Sequence, residues 1–449
     1  MGRLFGTDGV RGLANVDLTA ELALDLSVAA AHVLGERGVF TGHRPFAVVG
    51  RDPRASGEFL EAAVVAGLAS AGVDVRRVGV LPTPAVAHLT AAWGADLGVM
   101  LSASHNPMPD NGLKLFARGG HKLDDDLETQ IEDRMREPWD RPTGADVGRV
   151  HDEPGGLERY VADIVAGAPA RLDGLTVVVD AANGAASTTT PLALARLGAT
   201  VVPVHAQPDG LNINAGCGST HPEVVAAAVA EHAADVGIAH DGDADRCLAV
   251  DADGALVDGD QVLAVLALAL RRRGALRRRT VVTTVMANEG FRVAMRAHGI
   301  DYLDTAVGDR YVLEAMRAGG YSLGGEQSGH VVLLDHATTG DGLLTAVHLL
   351  GEMASTGRSL AELASVVHRL PQVLVNVSGV DKARCTDDPE VSQAVAAAEQ
   401  ELAGSGRILL RPSGTEPLVR VMVEAPSQGQ AEEVAGRVAA VVTDRLALA

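Results

Sequence analysis

Three aspartates alternate with small residues in the segment HDGDADR at 240–246. If this loop is extended, alternate side chains share a face, and the carboxylates converge on one cation; they are Asp241, Asp243 and Asp245. Ligands that are all oxygen favour Mg²⁺, Mn²⁺ or Ca²⁺ over zinc. An EF-hand is excluded because its loop needs Gly at position 6 and Glu at position 12, where this chain has Arg246 and Ala252. Three carboxylates leave an octahedral ion unfilled, so we expect a further oxygen, for example from a phosphate.

The segment SASHNP at 102–107 places a serine next to a histidine. On an extended segment adjacent side chains point to opposite sides, so His105 is not expected to deprotonate Ser104 directly. The segment also lacks the G-x-S-x-G elbow of serine hydrolases. Ser104 could instead carry a phosphoryl group whose oxygens complete the metal shell. The alternative is a polar turn without catalytic function.

Basic residues accompany these loops. Lys114 follows the serine segment and is one of only three lysines in the chain, so it is a candidate phosphate ligand or general acid or base. Arg11 lies in the glycine-rich segment GTDGVRG at 6–12. The segment RPSGTEP at 411–417 combines a guanidinium, two hydroxyls and a flexible glycine, which together suit a phosphate cradle.

A fifth segment, GGEQSGH at 324–330, offers a carboxylate and a hydroxyl two residues apart. Glu326 and Ser328 could therefore bind adjacent sugar hydroxyls, and His330 could move a proton near neutral pH. By contrast, Asp124–Asp126 precede a helical pattern and are interpreted as the acidic start of a helix.

Apolar runs alternate with Ala/Leu-rich helical patterns along most of the chain, which predicts βαβ units. The alternation recurs three times, and the third strands align on Gly98, Gly237 and Gly324. Ser104, Asp243 and His330 follow these glycines by six residues. In open α/β sheets ligands bind at the carboxyl ends of the strands, so we expect the three loops to lie at equivalent sheet edges. The segments after about residue 367 predict a small antiparallel α+β domain.

The composition limits the functional classes. The 449 residues carry a formal charge of −20, which disfavours nucleic acid and anionic membranes as partners. The longest apolar run, 262–270, is too short to span a bilayer. Three separated cysteines form neither a disulfide framework nor a CxxC site. We therefore expect a cytoplasmic enzyme without a membrane segment.

Five motifs occur in one order along the chain: FGTDGVRG, SASHNP, DGDADR, GEQSGH and RPSGTEP. This combination resembles the α-D-phosphohexomutase superfamily, and the resemblance covers essentially the whole chain. GEQSGH and the segment NINAGCGSTHP at 212–222 are more similar to the branch acting on glucosamine phosphates than to phosphomannomutase/phosphoglucomutase, whose sugar loop typically reads GEMSGH.

The resemblance implies a role for each motif. It makes Ser104 the phosphoserine and places one Mg²⁺ on the three aspartates together with a phosphoserine oxygen. Arg11, Lys114, Arg246 and His330 would line the reacting end. The sugar would be held by Glu326 and Ser328, with contacts from Gly308, Asp309 and Arg310. The non-reacting phosphate would be held by Arg411, Ser413, Gly414, Thr415 and Arg420.

The implied fold has three similar α/β domains with mixed sheets and a C-terminal α+β domain around a central cleft. The expected domains are 1–152 (phosphoserine), 153–252 (metal), 253–367 (sugar) and 368–449 (phosphate). The implied activity interconverts glucosamine 6-phosphate and glucosamine 1-phosphate through a sugar 1,6-bisphosphate, supplying amino-sugar precursors for the cell wall. A homodimer is also expected. The alternatives are a phosphomannomutase/phosphoglucomutase, and a metal-dependent phosphosugar phosphatase or a non-catalytic phosphosugar binder.

Overall fold

The computed structural model describes residues 3–6, 8–402, 404–413 and 418–448. By its internal contacts the chain divides into two compact units. The first contains the chain up to Met286 together with Gly299–Val366. The second contains Ala287–His298 and the chain from Val367 onward. Apart from one helix, the three α/β repeats all fall in the first unit. A division into two units does not test the four expected domain boundaries, which therefore stay predictions.

The first repeat has a sheet of order β1-β5-β4-β2-β3-β7, with β6 paired to β5. Strand β2 is parallel to both β3 and β4, whereas β5 is antiparallel to β4. Its elements are β1 (Val10–Leu13), α1 (Ala20–Glu36), β2 (Phe46–Arg51), α2 (Ser56–Ser70), β3 (Asp74–Val80), α3 (Thr83–Ala92), β4 (Leu97–Leu101), β5 (Asp110–Ala117), β6 (His121–Lys122), α4 (Asp125–Arg134) and β7 (Val150–Asp152).

The second repeat has a sheet of order β12-β11-β10-β8-β9. Its elements are α5 (Gly155–Ala166), β8 (Thr176–Asp180), α6 (Ala186–Arg196), β9 (Thr200–Val204), α7 (Pro222–His232), β10 (Val236–Ala239), β11 (Leu248–Asp251) and β12 (Leu256–Val257).

The third repeat has a sheet of order β14-β13-β15-β16. Its elements are α8 (Gly259–Arg272), β13 (Thr280–Thr284), α9 (Glu289–Ala297), β14 (Asp301–Thr305), α10 (Asp309–Gly319), β15 (Leu323–Gly325), β16 (Val331–Leu333), α11 (Gly342–Thr356) and α12 (Leu360–Ala364). Helix α9 is the part of this repeat that belongs to the second unit.

The three sheets share one topology, which confirms the predicted repeat. In each sheet a central strand lies between two parallel neighbours: β2 between β3 and β4, β8 between β9 and β10, and β13 between β14 and β15. An antiparallel strand (β5, β11 or β16) pairs with the later of the two neighbours. The aligned glycines also occupy the same register, opposite a valine of the central strand: Val48 faces Gly98, Val178 faces Gly237 and Val282 faces Gly324.

These glycines are required by close helix packing. A Cβ on Gly98 would lie 2.3 Å from the Thr90 hydroxyl of α3, and one on Gly324 would lie 2.6 Å from the Met316 sulfur of α10. Heavy atoms cannot approach this closely without displacing a neighbour. The third strand of each repeat is therefore fixed against a helix just before the loop that carries the polar residues.

Strand burial explains the apolar runs seen in the sequence. Every residue of β4, β10 and β13 is buried, because helices cover both faces of a parallel sheet. The acidic run at 124–126 begins a helix as predicted, since the Asp124 carboxylate accepts a hydrogen bond from the Leu127 backbone N–H and caps α4. None of the described helices is both long and apolar enough to cross a bilayer.

The second unit contains a three-stranded antiparallel sheet of order β17-β19-β18, as predicted. Its core is formed by valines of the sheet and by alanines and valines of the last helix. Besides α9, its elements are β17 (Gln372–Ser378), α13 (Pro389–Leu402), β18 (Arg407–Pro412), β19 (Leu418–Glu424) and α14 (Gln428–Leu446).

A buried carboxylate joins the second and third repeats. Asp341 caps α11 by accepting a hydrogen bond from the Leu344 backbone N–H, and it also accepts one from the Tyr160 hydroxyl of α5 at 2.9 Å. Burial raises the pKa of Asp341 to about 6, because desolvation disfavours the ionised form. Near neutral pH the fold therefore holds this charge at a cost in stability.

We expect Asp341→Asn to change the pH dependence of stability. Between about pH 4 and pH 6 the folded protein binds more protons at Asp341 than the unfolded chain, so stability falls as pH rises through this window, by up to about 3 kcal/mol. Asparagine retains the cap acceptor but cannot ionise. In urea denaturation the variant should gain stability relative to wild type between about pH 4 and pH 7. If the difference in unfolding free energy between the two proteins is the same at about pH 4 and at about pH 7, this prediction is contradicted.

Candidate active site

The three aspartates lie in a tight turn between β10 and β11, not in the extended loop that the sequence analysis assumed. Ala244 has a left-handed backbone, with φ at 55°. The turn nevertheless brings one oxygen from each of Asp241, Asp243 and Asp245 within 4.8 Å of the others. The expected convergence is therefore present, but the turn produces it, not strand alternation.

This group of aspartates fits a divalent cation. All three residues are buried, and Oδ1 of Asp243 and Oδ1 of Asp245 have no hydrogen-bond partner within the described part of the chain. Burial, with the charges of the other two carboxylates, raises the pKa of Asp241 well above its ordinary range. Buried unpaired carboxylate oxygens are costly unless a cation neutralises them, and all-oxygen ligands suit Mg²⁺.

Ser104 meets this group of aspartates directly. It follows β4 in a left-handed conformation, with φ at 53°, and its hydroxyl donates a hydrogen bond to the Asp241 carboxylate. The same hydroxyl lies 3.3 Å from Nδ1 of His105. The expectation that His105 points away from the serine is therefore wrong, because the backbone at Ser104 is not extended. Burial and nearby Arg246 and Arg11 lower the pKa of His105 to about 4, so its imidazole is neutral at physiological pH.

Lys114 is a buried cation among the carboxylates. Its ammonium lies 2.7 Å from both Asp8 and Asp243 and 3.5 Å from Asp245. Although burial opposes the charge, these carboxylates raise the pKa of Lys114 far above its usual range. The group therefore stays protonated, which favours charge stabilisation over the general-base role that the sequence left open.

A second lysine extends this arrangement to the third repeat. Lys122 forms ion pairs with Asp8 and with Asp309, and the Asp309 carboxylate lies 3.5 Å from Nε2 of His330. Both ring nitrogens of His330 are buried without a hydrogen-bond partner among the described residues. Its imidazole is therefore available to a ligand.

A cavity of about 370 Å³ opens between these loops of the first unit. The residues lining it include, from the three repeats, Asp8, Arg11, Ser104, His105, Asp245, Arg246, Gly308, Asp309, Glu326 and His330. Arg11 and Arg246 are partly exposed beside the serine. The Glu326 carboxylate accepts a hydrogen bond from the Gly308 backbone N–H at 3.0 Å, which joins the two loops assigned to sugar binding.

Two expected sugar ligands do not line this cavity. Arg310 lies in the first turn of α10 and forms ion pairs with Asp125 and Glu128 of α4. The hydroxyl oxygen of Ser328 is buried, and the structure shows no hydrogen-bond partner for it in the described ranges. For Arg310 the sequence could not indicate the competing carboxylates, because they lie more than 180 residues away.

The expected phosphate cradle lies in the second unit. Arg411 and Arg420 are paired opposite each other on β18 and β19, and the charge of Arg420 adds to partial burial in lowering the pKa of Arg411. The Lys382 ammonium donates to the Ser413 carbonyl at 2.7 Å. Gly414 and Thr415 lie outside the described residues. Like charges directly opposite on a sheet repel, so this strand pair favours an anion.

Comparisons with known proteins identify the family of this chain. Family models for the alpha/beta/alpha domains I, II and III and the C-terminal domain of phosphoglucomutase/phosphomannomutase match residues 2–140, 158–254, 258–370 and 374–441. The phosphoglucosamine mutase of Streptomyces coelicolor is 70% identical over 98% of both chains, and that of Thermobifida fusca is 65% identical over the full length of both. The chain belongs to the phosphoglucosamine mutase family.

The solved structures agree in fold. A phosphoglucomutase/phosphomannomutase family protein from Burkholderia thailandensis superposes with a TM-score of 0.83 at 25% identity, covering 99% of this chain and 98% of that one. The α/β class with four domains is thereby confirmed, and membership of this family makes the protein an isomerase.

Sequence reasoning missed the residues that hold the serine loop of this mutase. Arg54 and Asp52 form a fully buried ion pair at 2.9 Å. The Arg54 guanidinium donates to four carbonyls of the loop at 2.6–3.0 Å, those of Ser104, Asn106, Pro107 and Asp110. Ser102 donates its hydroxyl to Asp52 and accepts the Ser104 backbone N–H. The motif RDPR at 51–54 was the available signal in the sequence.

We expect Arg54→Met to destabilise the enzyme by about 3–5 kcal/mol, because it leaves Asp52 buried without a cation. Arg51→Met is the matched control: Arg51 pairs with Glu61 at 3.3 Å nearer the surface, and its loss should cost about 1 kcal/mol or less. Urea denaturation measures both. If the two variants lose equal stability, the guanidinium of Arg54 does not hold the loop in this way.

Proposed function

We propose that this enzyme interconverts glucosamine 6-phosphate and glucosamine 1-phosphate by passing a phosphoryl group through Ser104. The observation that carries the proposal is the hydrogen bond from the Ser104 hydroxyl to Asp241, which places a nucleophilic oxygen at the edge of a buried carboxylate group fit for a cation. The curated relatives at 65–70% identity are phosphoglucosamine mutases, which supports the substrate.

Mg²⁺ would be held by Asp241, Asp243 and Asp245 together with an oxygen of phosphorylated Ser104. When bound, such an ion neutralises charge on the phosphoryl oxygens. The unpaired oxygens of Asp243 and Asp245 support this assignment.

The protein's own cations would stabilise the phosphoryl group during transfer. Lys114 is held permanently charged by its carboxylate neighbours, and Arg11 and Arg246 reach the cavity beside Ser104. In phosphoryl transfer the charge spreads over the peripheral oxygens, and fixed cations near them lower the barrier.

The first transfer breaks the bond between phosphorus and the Ser104 oxygen and forms one to O1 of glucosamine 6-phosphate. The O1 hydroxyl gives up its proton, and the Ser104 oxygen regains one. One proton therefore moves from O1 to the Ser104 oxygen. His330, whose ring nitrogens have no hydrogen-bond partner among the described residues, would accept it from O1, and the neutral imidazole of His105 would accept a hydrogen bond from the re-formed Ser104 hydroxyl. The resulting 1,6-bisphosphate turns end for end and returns its 6-phosphate to Ser104, releasing glucosamine 1-phosphate.

The non-reacting phosphate would bind in the second unit. Arg411, Ser413 and Arg420 are the described residues for this role, and Gly414 and Thr415 of the same motif are proposed with them. Arg411 and Arg420 lie opposite each other on β18 and β19, and two arginines at facing positions support an anion site.

Carboxylates in the cavity support an amino sugar. Glu326 and Asp309 line it, and the ammonium group of glucosamine 6-phosphate would find opposite charge there, which glucose and mannose phosphates lack. Gly308 lines the same cavity. Ser328 and Arg310 remain proposed sugar ligands, which would have to exchange their present surroundings for the sugar. A phosphomannomutase/phosphoglucomutase activity on the same residues is the nearest alternative.

Ser104→Ala should abolish mutase activity and remove the extra ~80 Da of a phosphoryl group from the intact mass, because no other described residue offers a hydroxyl to Asp241. Ser102→Ala is the control: Ser102 supports the loop through Asp52, so this variant should keep the phosphoryl group on Ser104. Peptide mass spectrometry locates the modification. Activity and added mass retained in Ser104→Ala would overturn the assignment.

A substrate panel tests the sugar. With catalytic sugar bisphosphate and Mg²⁺, we expect kcat/KM for glucosamine 6-phosphate to exceed that for glucose or mannose 6-phosphate by tenfold or more, about 1.4 kcal/mol of discrimination. Glu326→Gln should narrow this preference, since it removes one carboxylate. Equal or inverted preference would favour the phosphomannomutase/phosphoglucomutase alternative, and release of inorganic phosphate without isomerisation would favour a phosphatase.

A further inference from the structure

A second group of metal-ligand side chains lies in the second repeat, apart from the group at Asp241. Asp180 ends β8, His205 follows β9, and Cys217 lies in the loop before α7. One ligand atom from each lies within 4.8 Å of the other two, and Asp180 and Cys217 are fully buried. Carboxylate, imidazole and thiol together form a donor set of the kind that zinc prefers.

The contact between His205 and Asp180 has the spacing of two ligands of one ion. Nδ1 of His205 is 3.2 Å from Oδ2 of Asp180, but this buried nitrogen makes no hydrogen bond to any described residue. In a tetrahedral site with metal–ligand distances near 2.0 Å, neighbouring N and O ligands are ~3.3 Å apart. The distance between these two atoms therefore already matches the distance between two ligands of one tetrahedral ion.

Backbone groups orient the Asp180 carboxylate. The Ala182 N–H donates to Oδ1 and the Gly218 N–H to Oδ2, each at 2.9 Å. These two hydrogen bonds fix the orientation of the carboxylate, as hydrogen bonds to metal ligands commonly do. Each oxygen still has a lone pair with which it can bind a metal ion.

The Cys217 sulfur is a thiol without a metal. Burial and the Asp180 charge raise its pKa to about 11. A metal ion binds the thiolate, so binding would release this proton.

An ion can reach this group from solvent. The His205 side chain is 35% exposed and borders an open cavity of about 490 Å³, whose other lining residues include Asn183, Gln207 and Asn212. Water in this cavity could supply a fourth ligand.

We propose that Asp180, His205 and Cys217 bind one Zn²⁺, with water as the fourth ligand. The loop that carries Cys217 also carries Asn214, whose amide donates to the Ser104 and Asn106 carbonyls. Zinc at this position therefore stiffens one wall of the serine loop. This site is distinct from the all-oxygen group and does not depend on the proposed sugar chemistry.

Co²⁺ is the probe that distinguishes the two sites, because a Co²⁺–thiolate bond gives a charge-transfer band in the near ultraviolet and oxygen ligands do not. Co²⁺ is added to the full-length enzyme in excess Mg²⁺, which competes for the aspartates. We expect the band to saturate at one Co²⁺ per chain and to disappear when Zn²⁺ is added. Cys217→Ser should abolish it, whereas Cys385→Ser, which changes another buried cysteine in the second unit, should not.

His205→Asn provides a second variant should Cys217→Ser fail to fold. Asparagine tolerates the left-handed backbone at this position, where φ is 45°, and the side chain is partly exposed. It should weaken Co²⁺ binding by about tenfold or more. Absence of the band in the wild type, its persistence in Cys217→Ser, or unchanged affinity in His205→Asn would each overturn the proposal.

Discussion

The ammonium group of Lys114 lies where carboxylates from two repeats would otherwise repel each other. It contacts Asp8 of the first repeat and Asp243 of the second, and Lys122 extends the same network from Asp8 to Asp309 of the third. Buried charges are tolerated only when paired, so the three repeats can bring their loops together only in the arrangement that satisfies these pairs. These ion pairs beside the cavity are thus also a condition for assembling the repeats.

This network explains how the site could accept both a metal and a phosphoserine. Mg²⁺ and a phosphoserine near its dianionic form carry nearly equal and opposite charge. When both are present, the net charge of the site stays close to the value set by its lysines, arginines and aspartates. Either one alone would disturb it. The high pKa of Asp241 in the protein without ligands is the local sign of that dependence.

The repeated α/β topology could be predicted from the sequence because it follows from local periodicity and from glycines that recur at fixed positions. Gly98 and its equivalents mark where a helix crosses a strand, and the strand end then positions the polar loop. Residues whose roles depend on distant partners could not be predicted: Lys122 and Asp309 are 187 residues apart, and Arg54 contacts a loop some 50 residues away. The position of His105 was missed for a local reason, since a left-handed serine is uncommon and breaks the alternation assumed for it.

The two proposed phosphate-handling sites both bring like charges close together. In the first unit three buried carboxylates face one another, and in the second unit Arg411 and Arg420 are paired across two strands. A fold selected for stability alone would replace such like-charged groups, since each repulsion opposes folding. Their presence is understandable if they bind a ligand of opposite charge, because binding then relieves the repulsion. The overall charge of −20 does not conflict with an anionic substrate, since affinity is set by the few cations at the site and not by the net charge of the chain.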